Sequence, residues 1–104
     1  MSDAAALTVT CRDDAGAMLV TVRGELDIAS VELVEAAIIE RRPLQGRLRL
    51  DLSGVSFFDS SGVRALLQAR RVAIEDTGRT VELVATSEAV RRVLEMTGAS
   101  DVFD

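Results

Sequence analysis

The sequence predicts a single α/β domain over residues 1–104, a mixed, mostly parallel sheet of four or five strands with three or more helices packed on it. Three observations predict it. Several short stretches alternate apolar and polar residues, the period of a half-buried strand. Between them lie segments with apolar residues three and four apart, the period of an amphipathic helix. After an initial strand pair the two patterns take turns, which calls for strand-helix-strand crossovers and parallel pairing. A chain of 104 residues is long enough to bury one core without staples.

The elements follow in order. "ALTVTCR" (6–12) and "AMLVTVR" (17–23) are alternating, β-branched runs around "DDAG", so a hairpin of two antiparallel strands is expected. In "GELDIASVELVEAAIIERRP" (24–43), Val31, Val34 and Ile38 stand at helical spacing, with Ser30 as the candidate cap and Pro43 as the stop. "RLRLDLSGV" (47–55) puts Leu48, Leu50 and Leu52 on one face of a third strand and Arg47, Arg49 and Asp51 on a wet one. A second helix begins at or just after Asp59: Val63, Leu66, Leu67 and Ile74 form its apolar face, Arg64, Gln68, Arg71 and Glu75 its polar face. Gly78 is placed as its left-handed end, and "RTVELVA" (79–85) reads as the next strand. In "SEAVRRVLEMTG" (87–98) Ser87 caps a third helix, Val90, Val93 and Leu94 are its stripe, and Gly98 stops it. The tail "DVFD" (101–104) is a candidate last strand.

Composition removes whole classes of function. Twelve basic against seventeen acidic residues leave a net charge of −5, which opposes attraction to nucleic-acid phosphates or anionic lipid; neither is expected as a direct partner. The apolar runs fall far short of the roughly 20 residues of a membrane span, and "MSDAAALTV" lacks the basic start of a secretory signal, so a cytoplasmic protein is expected. The chain has no histidine, which excludes Ser-His and Cys-His catalysis, and a lone cysteine, Cys11, which alternates with Val9 and Leu7 and reads as a structural thiol. No cofactor, metal site or phosphate loop is expected, and an autonomous enzyme is not expected either. The arginine pairs 41–42, 70–71 and 91–92 read as solvated helix faces.

One stretch stands out. "DLSGVSFFDSSGVRALL" (51–67) sets Asp59, Ser60, Ser61 and Gly62 between an apolar run and a helix. Asp and Ser are good helix caps and Gly tolerates a sharp change of direction, so capping explains any one of these residues. It explains their joint occurrence less well, because one side-chain acceptor suffices for the first free N–H groups. A serine in a loop at a helix start is also well placed to enter a kinase cleft while the scaffold stays folded. Ser53 and Ser56 are weaker candidates, the first in a turn just past the strand, the second in apolar surroundings. Of the adjacent Phe57 and Phe58, at least one is expected in the core.

"GELD" after the second strand, "LDLSGVSFFDSSG" running from strand into helix, and the element order together resemble the anti-sigma-factor antagonists of the STAS-domain family, over nearly the whole chain. The resemblance implies a STAS-like domain whose DSSG loop meets an anti-sigma factor that is often also a serine kinase. It implies that Ser60 is the phosphorylated serine, that phosphorylation switches binding off, and that Asp27, Asp59, Ser60, Ser61 and Gly62 stand at partner-contact positions. Many members continue into a further helix, whereas this sequence stops at Asp104. The alternative within the same family is a structural subunit of a signalling scaffold or of a lipid-transport complex.

Overall fold

The two alternating stretches pair as expected. In a computed structural model describing residues 7–103, strand β1 (Leu7–Asp14) runs antiparallel to β2 (Ala17–Leu26), with Asp14 opposite Ala17. The two-residue link, Ala15 and Gly16, has φ of 52° and 85°, the positive values that match a tight turn to the twist of its strands. Residues 1–6, read in the sequence as a start without secretory character, lie outside the described residues.

Helix α1 (Val31–Ile39), strand β3 (Arg47–Phe58), helix α2 (Ser60–Thr77), strand β4 (Glu82–Thr86) and helix α3 (Glu88–Met96) complete the sheet and its cover. Strand order is β1-β2-β3-β4, and β2, β3 and β4 are parallel. The crossovers through α1 and α2 step in the same direction across the sheet, so connections of one hand leave both helices on one face. Val20 and Val22 of β2 and Leu48, Leu50 and Leu52 of β3 meet Val34 and Ile38 of α1, Leu66, Ala69 and Ala73 of α2, and Val90 and Leu94 of α3 in one buried cluster. Arg47, Arg49 and Asp51 project on the other, wetter face. Cys11 packs half-buried against the cluster, where burial raises its thiol pKa and makes it less reactive.

Gly78 ends α2 with a φ of 74°, and Ser87 accepts from the Val90 N–H at 3.3 Å, as read from the sequence. Other expectations are corrected. Among the described residues the tail forms no strand: Ala99–Val102 is a 3₁₀ turn, entered through Gly98 at a φ of 75° with Ala99 buried, and Asp104 lies outside the described residues. Strand β3 does not stop near Val55 but continues to Phe58. Shifts in its register with β2 move the buried positions from every second residue to every third, Leu52, Val55 and Phe58. Ser53 therefore lies within the strand, its N–H and hydroxyl both donating to Asp51, and Ser56 is exposed rather than buried. Leu67 and Ile74 are exposed, because at 100° per residue they fall well away from the buried line of Gly62, Leu66, Ala69 and Ala73.

Candidate functional site

The register of the two central strands builds the site. Leu26 of β2 and Phe58 of β3 are parallel partners, both buried, so the next residues, Asp27 and Asp59, leave the sheet side by side, about 4.8 Å of strand spacing apart. The carboxyl edge of a parallel sheet is where chain reversals gather polar groups. Here it joins two candidate segments, "GELD" and "DSSG", that stand more than thirty positions apart in sequence.

Within "DSSG" the four residues divide the work. Asp59, extended at φ −138° and ψ −166°, is the cap: its Oδ1 accepts from the Ser61 N–H at 2.9 Å, and its carbonyl accepts from Gly62 and Val63 at 2.9 and 3.2 Å. Gly62 is buried, and a Cβ there would run into the Phe58 ring, 2.7 Å from Cδ1 and 2.9 Å from Cζ and closer still to Cε1. Only a glycine lets the first turn of α2 lie on that ring. Ser61 is half-buried. Ser60, the first helical residue, is exposed, and its hydroxyl makes no hydrogen bond among the described residues. The cap and the packing are satisfied without it.

Asp27 is built into its own turn. Its Oδ1 accepts from the N–H groups of Ala29 and Ser30 at 3.0 and 3.1 Å and from the Ser30 hydroxyl at 3.0 Å. Its carbonyl accepts from Val31 at 2.9 Å, which starts α1. Ser30, read in the sequence as the cap, makes no side-chain cap to its helix. Its buried hydroxyl points back, sharing its one proton between the Asp27 carboxylate and the Glu25 carbonyl at 2.7 Å and accepting from the Asp27 N–H at 3.1 Å. Asp27 is consequently half-buried rather than a freely exposed loop acid. The Asp-x-x-Ser spacing was the available signal for this reciprocal lock. The lock also holds Ile28 outward, 75% exposed, a residue that periodicity had not singled out. Phe57 likewise turns outward, 47% exposed, while Phe58 is core.

One carboxylate oxygen of each aspartate is taken up by backbone N–H groups, Ile28 and Phe57 face water, and the hydroxyls of Ser60 and Ser61 make no hydrogen bond among the described residues.

The STAS domain family model matches residues 6–104. The chain is similar to the anti-sigma-B factor antagonist of Bacillus subtilis (strain 168), 24% identical over 98 residues, covering 94% of this chain and 89% of that one. It is also similar to the crystal structure of an anti-sigma factor antagonist from Mycobacterium paratuberculosis, 27% identical, with a TM-score of 0.71 over 93% of this chain and 82% of that one. An anti-sigma-factor antagonist domain protein from Planctomyces limnophilus shares the fold, with a TM-score of 0.76 and 22% identity over 91% of this chain and 86% of that one.

Proposed function

Because the chain belongs to the STAS-domain family, we propose that it is a non-enzymatic binding module, an anti-sigma-factor antagonist that sequesters an anti-sigma factor and thereby frees a sigma factor. The carboxyl edge of the sheet is the docking surface: Asp27 and Asp59 supply charge, Ser60 and Ser61 the rim, and Gly62 the close packing that fixes the start of α2. The partner is of the serine-kinase type, and it phosphorylates Ser60. The serine oxygen attacks the γ-phosphorus of the partner's nucleoside triphosphate, the bond to the bridging oxygen breaks, the diphosphate leaves, and the hydroxyl proton passes to a base of the kinase. The modified chain lets go, and the anti-sigma factor is released.

The observation that carries this reading is the division of labour at α2, in which Asp59 caps and Ser60 is left exposed and unbonded. A serine kept only for capping has no reason to stand beside an aspartate that already caps. Affinity capture from a native cell extract tests it, comparing wild type with Ser60→Glu. Wild type is expected to retain an anti-sigma factor with a nucleotide-binding kinase fold, and Ser60→Glu to retain little of it. Equal retention by both, or none by wild type, would refute the proposal.

A further inference from the structure

The exposed side of α2 carries more than its share of unpaired chemistry. Ser60, Arg64, Leu67, Arg71 and Ile74 stand at successive offsets of four and three, so at 100° per residue they form one line along the helix, on the side away from the core. Leu67 and Ile74 are 41% and 40% exposed, seven residues apart, the spacing at which one helix receives the apolar line of another. They lie in an open groove of about 510 Å³ shared with Arg64, Arg70 and Arg71. Isolated exposed apolar residues need no explanation, but a line of them between guanidinium groups forms a patch.

Charge decides what would cover it. The chain as a whole is at −5, yet this groove gathers three arginines. None of the three is in an ion pair among the described residues, and the Nε of Arg70 is buried without a hydrogen-bond partner. Of the two acids lining the groove, Glu35 and Glu75, the second is already held by Arg42 at 3.2 Å. A second copy of this chain would bring arginine against arginine. An acidic segment would bring each guanidinium a carboxylate.

We propose that the Arg64–Ile74 face of α2 is a docking surface for an acidic amphipathic helix of a partner protein, whose apolar line seats on Leu67 and Ile74 and whose carboxylates pair with Arg64, Arg70 and Arg71. This surface stands on its own residues and does not depend on the anti-sigma assignment.

The probe is a synthetic helical peptide of about 18 residues, the length of α2, with leucines seven apart flanked by glutamates. The control is its sequence-scrambled isomer of equal charge. Binding to the full chain is followed by fluorescence anisotropy and by amide chemical shifts. The helical peptide is expected to bind at least about tenfold more tightly than the isomer, with shifts along α2 and an affinity that falls as salt rises. Leu67→Ser with Ile74→Ser should lose that difference while unfolding at nearly the wild-type temperature, and Arg64→Gln with Arg71→Gln should flatten the salt dependence. Equal binding of the two peptides, shifts that map elsewhere, or a large loss of thermal stability in the leucine-isoleucine variant would overturn the proposal. So would sedimentation showing that this face pairs two copies of the chain.

Discussion

The Oδ1 of Asp59 accepts from the N–H of Ser61 at 2.9 Å and so does the capping that the neighbouring Ser60 could otherwise have done. The two residues should therefore respond differently to truncation. Asp59→Ala removes the cap and is expected to cost about 0.5–2 kcal/mol, a fall in Tm of roughly 4–8 °C for each kcal/mol in a domain of this size. Ser60→Ala removes a hydroxyl that bonds nothing described and should shift Tm by no more than about 2–4 °C, since surface changes stay near ±0.5 kcal/mol. Thermal unfolding followed by circular dichroism separates them. Equal losses would mean that Ser60 shares the cap.

Gly62→Ala is expected to destabilise by about 1–3 kcal/mol, because the added methyl must displace the Phe58 ring from a packed core. The cause is checked by a double-mutant cycle. Phe58→Leu alone loses packing, but in its presence the alanine should cost markedly less, giving a coupling energy of about 0.5 kcal/mol or more. Additive losses in denaturant titrations would place the strain elsewhere.

Much of this was legible in the sequence, and what was not has a physical cause. Alternation at Leu48, Leu50 and Leu52, the caps at Asp59 and Ser87 and the left-handed glycines at 78 and 98 are local features, decided by nearest neighbours along the chain. The bulges that carry β3 on to Phe58 arise from its pairing with β2, and pairing leaves no mark on one strand read by itself. Leu67 and Ile74 looked like core because periodicity reports an apolar line without saying what covers it. Asp27 and Ser60 were singled out by resemblance. That the carboxylate is locked into a turn and the serine is unbonded are tertiary facts.

That lock alters what mutation of Asp27 should do. Asp27→Ala strips three hydrogen bonds from one oxygen and is expected to cost about 1–3 kcal/mol, so loss of binding in that variant would be ambiguous. Asp27→Asn keeps an acceptor oxygen for the turn and removes the charge. It should unfold close to the wild-type temperature yet bind the anti-sigma factor more weakly if its carboxylate meets a partner cation, by up to a few kcal/mol for a desolvated pair. Unchanged affinity in calorimetry would assign Asp27 to the turn alone.

At the opposite end of the sheet, Asp76 accepts from Arg42 Nη2 and Nε at 2.8 and 3.1 Å and from the Leu44 N–H at 2.9 Å, tying the end of α2 to the approach of β3. The Arg42 guanidinium, then the Leu44 N–H, holds the Asp76 carboxyl below the usual carboxylate range. A depressed folded-state pKa stabilises at pH values above the ordinary value of about 3.9, and that stabilisation is lost as pH falls through the folded value. The Tm deficit of Asp76→Asn relative to wild type should accordingly be full at neutral pH, begin to shrink below about pH 4, and close in stronger acid. A deficit that does not change between neutral and strongly acidic solution would mean that the pair contributes through packing rather than charge.

Phosphorylation of Ser60 would place about −1.5 to −2 charges beside Asp59 at the edge proposed as the docking surface. The start of α2 favours that phosphate by about 0.3–2 kcal/mol through its dipole, and Arg64 lies one turn on. Both effects act in the free chain as well as in a complex, so the modified protein should unfold no earlier than the unmodified one, and neither effect restores affinity. Repulsion and desolvation of about 3–4 kcal/mol correspond to a loss of two to three orders of magnitude in Kd. Ser60→Ala should accept no phosphate and still bind the anti-sigma factor, while Ser60→Glu should bind poorly and stay folded. Calorimetry on the three proteins, with mass spectrometry of the kinase product, checks each step. Phosphate found on Ser53, Ser56 or Ser61, or a Ser60→Glu variant that binds as tightly as wild type, would remove Ser60 from the switch.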